Sequence, residues 1–246
     1  MKRAAAAVVA AALCILAFGC KPERAGVPQG PKEWSAPTGG AATTPVDATT
    51  AEQVPPLPSG NVLSNGGFEA GLAGWEVWDQ RPKRSPGNNV IETARWEERG
   101  GQVLHITRTS DRDGGASGVV QRPALDVSGA KSVKVRYLAY VTYEEGGNVG
   151  GGDPRWFPEG AAQVRVYYTA ADGSKQEWYH GICIAPMDGY DRERFTVTKD
   201  NVWTPYESPN LMDLTPRPVR IDEVRFYGFG WGFNALMDDC FLIVER

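Results

Sequence analysis

The chain has 246 residues, of which 41% are hydrophobic, 10% aromatic and 23% charged. It is too apolar for an unfolded chain and too charged for a polytopic membrane protein, and one compact domain with attachments accounts for the length. With 26 Lys and Arg against 30 Asp and Glu the formal charge is -4, which argues against a basic nucleic-acid surface. His105 and His180 are the only histidines, too few for a multi-histidine metal or catalytic site.

Residues 1–19 combine Lys2 and Arg3 with an apolar run and a small residue, Gly19, before Cys20. They read as a signal peptide, because the apolar run falls short of the roughly 20 residues of a membrane-spanning helix. The stretch Leu16, Ala17, Phe18, Gly19, Cys20 resembles a bacterial lipobox, with Ala17 where that family prefers leucine. The resemblance implies cleavage before Cys20 and lipidation there, so that several acyl chains hold the protein on a membrane of the cell envelope. If the source is Gram-negative, Lys21 rather than aspartate after the cysteine implies, by the same resemblance, the outer membrane. Residues 20–60 are rich in Pro, Gly, Ala and Thr, with Trp34 the sole aromatic. Prolines including Pro22, Pro28, Pro31, Pro37, Pro45, Pro55, Pro56 and Pro58 predict a semi-extended tether with no packed core.

Residues 61–246 lack a convincing 3.6-residue apolar period and instead alternate. Val133, Val135, Tyr137, Ala139 and Val141 recur every second position, as do Val164, Val166 and Tyr168, which predicts half-buried strands. Further strands are expected over 102–109, 118–122, 175–184, 194–198, 219–227 and 236–244. Turn residues at 113–115, 171–173 and 188–189 punctuate them. Many short strands with scarce helix predict an all-β fold, a β-sandwich with the jelly roll as leading topology.

The run 61–78, N-V-L-S-N-G-G-F-E-A-G-L-A-G-W-E-V-W, and the run 236–242, L-M-D-D-C-F-L, resemble the opening and closing of galactose-binding-like jelly rolls such as carbohydrate-binding modules of families 4, 9 and 22. The Gly-rich section 142–160 departs from the pattern. The resemblance implies a structural calcium held by Glu69, Asp239, Asp238 as its substitute, and a backbone carbonyl such as that of Gly67. Hard carboxylate and carbonyl oxygens suit that ion. The bland alternative is that Glu69 bonds turn amides and the aspartates cap a strand end.

Cys14 leaves with the signal peptide and Cys20 is lipidated, leaving Cys183 and Cys240. A disulfide between them, worth roughly 4 kcal/mol in the chain-entropy model, and two buried free thiols both remain open.

Catalytic signatures such as G-x-S-x-G, H-E-x-x-H and C-x-x-C do not occur. The adjacent pairs Glu97–Glu98, Glu144–Glu145 and Asp238–Asp239 point to opposite strand faces and cannot flank one glycosidic bond. A non-catalytic protein is expected, with His180 as a structural residue. Seven tryptophans in 61–246 favour a carbohydrate ligand, a polysaccharide or glycan stacked on aromatic rings and held by planar polar groups. The expected ligand-binding residues are Trp78, Trp156, Tyr179 and Trp231 for stacking, with Arg155 and Gln176 as polar partners. The basic run Arg81, Lys83, Arg84 reads as a solvated loop in preference to a contact for an acidic glycan. The alternative function is docking to another envelope protein, with no sugar ligand.

Overall fold

The computed structural model describes residues 58–81, 87–109 and 114–246. The signal segment, Cys20 and all of the tether but residues 58–60 lie outside them, as do Lys83 and Arg84.

The described strands are β1 Glu76–Gln80, β2 Asn88–Trp96, β3 Gly101–Thr109, β4 Gly115–Gln121, β5 Leu125–Asp126, β6 Ser132–Glu145, β7 Gly160–Ala170, β8 Lys175–Cys183, β9 Phe195–Val197, β10 Thr204–Glu207, β11 Pro218–Gly230 and β12 Gly232–Glu245. Single 3-10 turns stand at Glu97–Arg99 and Leu211–Asp213. A seven-stranded sheet runs β1-β4-β11-β7-β8-β9 with β5 on β11, and a five-stranded sheet runs β10-β6-β12-β3-β2. Only β8 and β9 pair in parallel among these strands. The protein is therefore an all-β jelly-roll sandwich, as the alternation predicts. The apolar alternation does not mark four strands: β1, β2, β5 and β10. They are short or polar, and β1, β2 and β10 lie at sheet edges, where only weak alternation is demanded.

The period of two does the sorting. Val133, Val135, Tyr137, Ala139 and Val141 of β6 are wholly buried, and so are Val164, Val166, Val224 and Phe226 of β7 and β11. The sheets meet on aromatic edges, with Tyr137 5.9 Å and Trp75 5.8 Å from Phe226 between ring centroids. His180 belongs to this interior. Its ring lies flat on Tyr206 at 3.4 Å, with Nδ1 3.1 Å from the Tyr137 hydroxyl and Nε2 3.2 Å from the Thr196 hydroxyl. Burial pushes its pKa down to about 3, so it is a neutral structural histidine.

The N-terminal segment closes the sandwich along β12. The Val62 amide donates to the Leu242 carbonyl at 3.0 Å, and the Cys240 amide to the Gly66 carbonyl at 2.9 Å. A Cβ at Gly66 would collide with the Cys240 carbonyl and the Phe241 ring, so glycine is required there. Asn65 folds the next turn, donating to the carbonyls of Gly71 and Ala73 at 2.8 and 3.0 Å and accepting from Ala70. This stacks Phe68 on Trp75 at 5.6 Å. Cys183 and Cys240 are separate free thiols, so no disulfide forms. Cys240 lies in the main core, whereas Cys183 belongs to a separate small cluster with Val149 and Phe195 at the β8–β9 edge of the seven-stranded sheet.

Phe226 joins both sheets, so Phe226→Ala is expected to cost about 3–5 kcal/mol in denaturant unfolding. A loss under 1 kcal/mol would show that the inter-sheet aromatic contact is not central.

Candidate functional site

Burying Phe226, Val164 and Val166 turns their neighbours outward. On the outer face of the seven-stranded sheet, Trp78 of β1, Gly118 of β4 and Tyr227 of β11 fall in one row of register partners. Beside it, Arg225 of β11, Arg165 of β7 and Tyr179 of β8 form a second row. Gly118 carries nothing between its neighbours, and a Cβ there would strike Tyr227 and the Phe226 carbonyl. The Trp78 and Tyr227 rings consequently meet edge to face across β4, 5.6 Å apart.

Guanidinium groups interleave these rings. Arg225 lies 4.2 Å from the Trp78 ring centre and 4.8 Å from that of Tyr167. Arg165 lies 5.2 Å from Tyr179 and 5.7 Å from Tyr227, and Arg194 caps Tyr179 at 4.4 Å. The result is a cleft of about 480 Å³. Its lining includes Trp78, Tyr167, Tyr227, Phe157 and Phe229 as aromatic surfaces, and Gln80, Arg81, Arg165 and Arg225 as polar ones.

One wall comes from the Gly-rich loop. Asn148 is its hub, its Nδ2 donating to the carbonyls of Asp153, Trp156 and Phe157 at 3.2, 3.0 and 3.0 Å while its Oδ1 accepts from the Asp153 amide at 2.8 Å. Buried Glu159 receives the Asn148 amide at 2.9 Å. This backbone presents Trp156 and Phe157, 66% and 73% exposed, and sets Phe157 edge-on to Phe229 at 6.5 Å.

Of the residues expected from sequence, Trp78 lines the cleft and Tyr179 adjoins it through Arg165. Trp156 is exposed beside Phe157 without lining the cleft. Arg155 is occupied within its own turn, its guanidinium gripping both Asp153 oxygens. Gln176 sits opposite inward-facing Tyr168 and bonds the Ser174 hydroxyl at 3.1 Å. Trp231, between β11 and β12, lies where a Cβ on Gly147 would be 3.1 Å from its ring. Sequence reasoning missed Arg165, Tyr167, Arg225, Tyr227, Phe157 and Phe229. The signal was the recurrence of Arg and aromatic residues at the outward positions of β7 and β11.

The expected calcium ligands have protein partners in this structure. Arg99 stands among them as a cation, its Nε 2.8 Å from Asp238 Oδ2 and its Nη2 2.8 Å from Asp239 Oδ2. Glu69 is exposed and accepts the amide of Gln102, at the start of β3, at 3.2 Å. A divalent ion there would have to displace a guanidinium already holding both aspartates, and no metal-holding group of His, Cys, Asp and Glu occurs among the described residues. Burial and the neighbouring Asp239 push the Asp238 carboxyl up to about 6, against the pull of Arg99.

No protein-family model and no curated protein matches this chain. Among solved structures it is similar to a family 61 carbohydrate-binding module in complex with β-1,4-galactotriose, at 14% identity and TM-score 0.40 over 75% of this chain and 99% of the module. It is also similar to a family 11 carbohydrate-binding module of a Clostridium thermocellum cellulase, at 13% identity and TM-score 0.38 over 69% and 87%. A third is the enzymatically active domain of bacteriophage CBA120 tailspike protein 4, at 8% identity and TM-score 0.44, of which this chain spans only 21% while matching over 75% of its own length.

Chelator is expected to leave the melting temperature unchanged, whereas Arg99→Met is expected to cost about 3 kcal/mol near pH 8, the scale for stranding a buried carboxylate. Without Arg99 the Asp238 carboxyl rises further and protonates as pH falls, so the cost shrinks towards pH 5. A chelator-induced drop of several degrees would support the calcium reading.

Proposed function

We propose that the chain is a non-catalytic glycan-binding protein, held at the cell envelope by lipid on Cys20, whose ligand lies in the cleft of the seven-stranded sheet. The cleft carries the reading. It combines flat aromatic area at Trp78, Tyr167 and Phe157 with planar polar groups at Arg165, Arg225 and Gln80, the complement to a sugar's apolar C–H face and its ring hydroxyls. His180 is sealed between Tyr137, Tyr206 and Thr196, away from that cleft. The lipobox-like residues 16–20 and the Pro-rich segment after them support a lipid anchor and a spacer that lifts the domain off the membrane. The exposed pair Trp156 and Phe157 supports the second reading, a contact with another envelope protein.

In pull-downs of the full chain with insoluble polysaccharides and a glycan array, specific retention is expected, and Trp78→Ala is expected to weaken it tenfold or more, a loss of about 1.4 kcal/mol. Trp231→Ala, outside the cleft, is expected to change nothing. Retention untouched by Trp78→Ala would move the site elsewhere, and a clean negative with folded protein would favour protein docking. For the anchor, Cys20→Ala is expected to shift the protein from the membrane to the soluble fraction. Unchanged membrane recovery would reject lipidation at that residue.

A further inference from the structure

We infer that the cleft takes an acidic glycan, a chain containing hexuronic acid residues, whose carboxylates lie against Arg165 and Arg225. The inference rests on the glycan reading of this cleft and specifies its ligand. The ionised groups lining the cleft are Arg81, Arg165 and Arg225, with no carboxylate among the described lining residues, although acids outnumber bases in the chain.

The acids that meet these cations stand outside the lining. Asp79 holds Arg81 at 2.6 Å, Glu223 holds the Arg225 Nε, and Glu177 approaches Arg165 Nη1 at 3.4 Å. That last distance exceeds the about 2.7–2.9 Å of a good charge-assisted bond. Arg165 Nε is buried with no hydrogen-bond partner among the described residues. The Arg165 and Arg225 side chains are 15% and 20% exposed. Arg225 is thus paired with Glu223 and covered by ring faces, whereas Arg165, with Glu177 no nearer than 3.4 Å, is compensated largely by ring faces and is the less neutralised of the two.

Arg225 and Arg165 are also direct register partners across β11 and β7. Like charges in such a pair stand about 5 Å apart at Cβ and destabilise the sheet. An anion between them would relieve the repulsion, and the planar guanidinium fork fits a carboxylate with two parallel bonds. A hexuronate suits the surroundings because its carboxylate leaves the edge of the ring, roughly in the ring's mean plane. One sugar can therefore stack its apolar face on Trp78 or Tyr167 while its carboxylate reaches an adjacent guanidinium. A neutral sugar would supply the stack and leave the cation pair unrelieved.

The test measures the full chain by affinity electrophoresis and titration calorimetry against polygalacturonate, alginate and hyaluronan, each beside its carboxyl-reduced form with the same linkages. Galactan, mixed-linkage glucan and dextran sulfate complete the set. At least one uronate polymer is expected to bind tenfold or more tighter than its reduced form, with Arg165→Gln and Arg225→Gln each removing most of that preference. Melting curves identify a variant that fails to fold, and the native-against-reduced comparison on the unaltered protein decides without it. Equal binding of a uronate polymer and its reduced form, binding of neutral glycans alone, or equal binding of dextran sulfate would overturn the acidic ligand while leaving glycan or polyanion binding intact. Binding to none of the polymers by folded protein would overturn the glycan reading as well.

Discussion

The contact of Phe226 with Tyr137 and Trp75 across the two sheets is the constraint from which the rest of the molecule follows. A strand's side chains alternate, so once Phe226 is committed to the interior, Arg225 and Tyr227 have only the outer face. Val164 and Val166 impose the same choice on Arg165 and Tyr167. Because β11 and β7 are neighbours in register, the four outward side chains become a single platform. The hydrophobic core and the cleft are thus two sides of one alternation, and a one-residue slip would destroy both.

Such alternation is the most readable feature of a sequence, and it explains what could be anticipated. The long central strands β6, β7, β11 and β12 bury one face against the opposite sheet, so their apolar residues recur with period two. β1 carries no such mark: of its residues Glu76, Val77, Trp78, Asp79 and Gln80, only Trp78 is even half-buried, and its pairing with β4 is a backbone matter. The cleft was legible in part for the same reason. Trp78 stood out as an aromatic near a motif, but nothing local in the sequence says that Tyr227, 149 positions away, meets it across a glycine. In the Gly-rich loop the sequence points to Trp156, yet its neighbour Phe157 is the one that lines the cleft.

The N-terminal motif shows how a local pattern can fix a turn without naming the partners of the charges beside it. Asn65, Gly66, Phe68 and Trp75 build the turn that their spacing suggests, and that turn docks on the strand bearing Asp238 and Asp239. The two aspartates still require a cation, since burial alone drives Asp238 towards its neutral form. Arg99 supplies it from the 3-10 turn between β2 and β3, a residue with no distinguishing neighbourhood in the sequence. A guanidinium brings one charge and directed hydrogen bonds, so it can bridge the two carboxylates. Its side chain also covers Trp203 at 5.7 Å. There, Trp96, Tyr140 and Trp203 pack on one another outside the five-stranded sheet.

The Gly-rich loop departs most from the jelly rolls that the sequence resembles, and its internal bonds give the departure a use. Glycines admit the tight path, and one polar side chain, Asn148, gathers three carbonyls and an amide, so the loop is held by directed bonds as well as by the small apolar cluster of Val149, Cys183 and Phe195. Glu144 anchors its base from β6, accepting the amides of Ala161 and Ile184 at 2.6 and 2.9 Å. Burial outweighs these amides, and with nearby Glu159 it raises the Glu144 carboxyl to about 7. A group that holds its proton more tightly when folded adds stability at low pH and loses it as pH rises from its ordinary range through 7. Ionisation also strengthens the amide bonds that position the loop. The wall of the cleft therefore rests on a carboxyl whose charge state changes near neutrality, while its floor rests on arginines that never lose theirs.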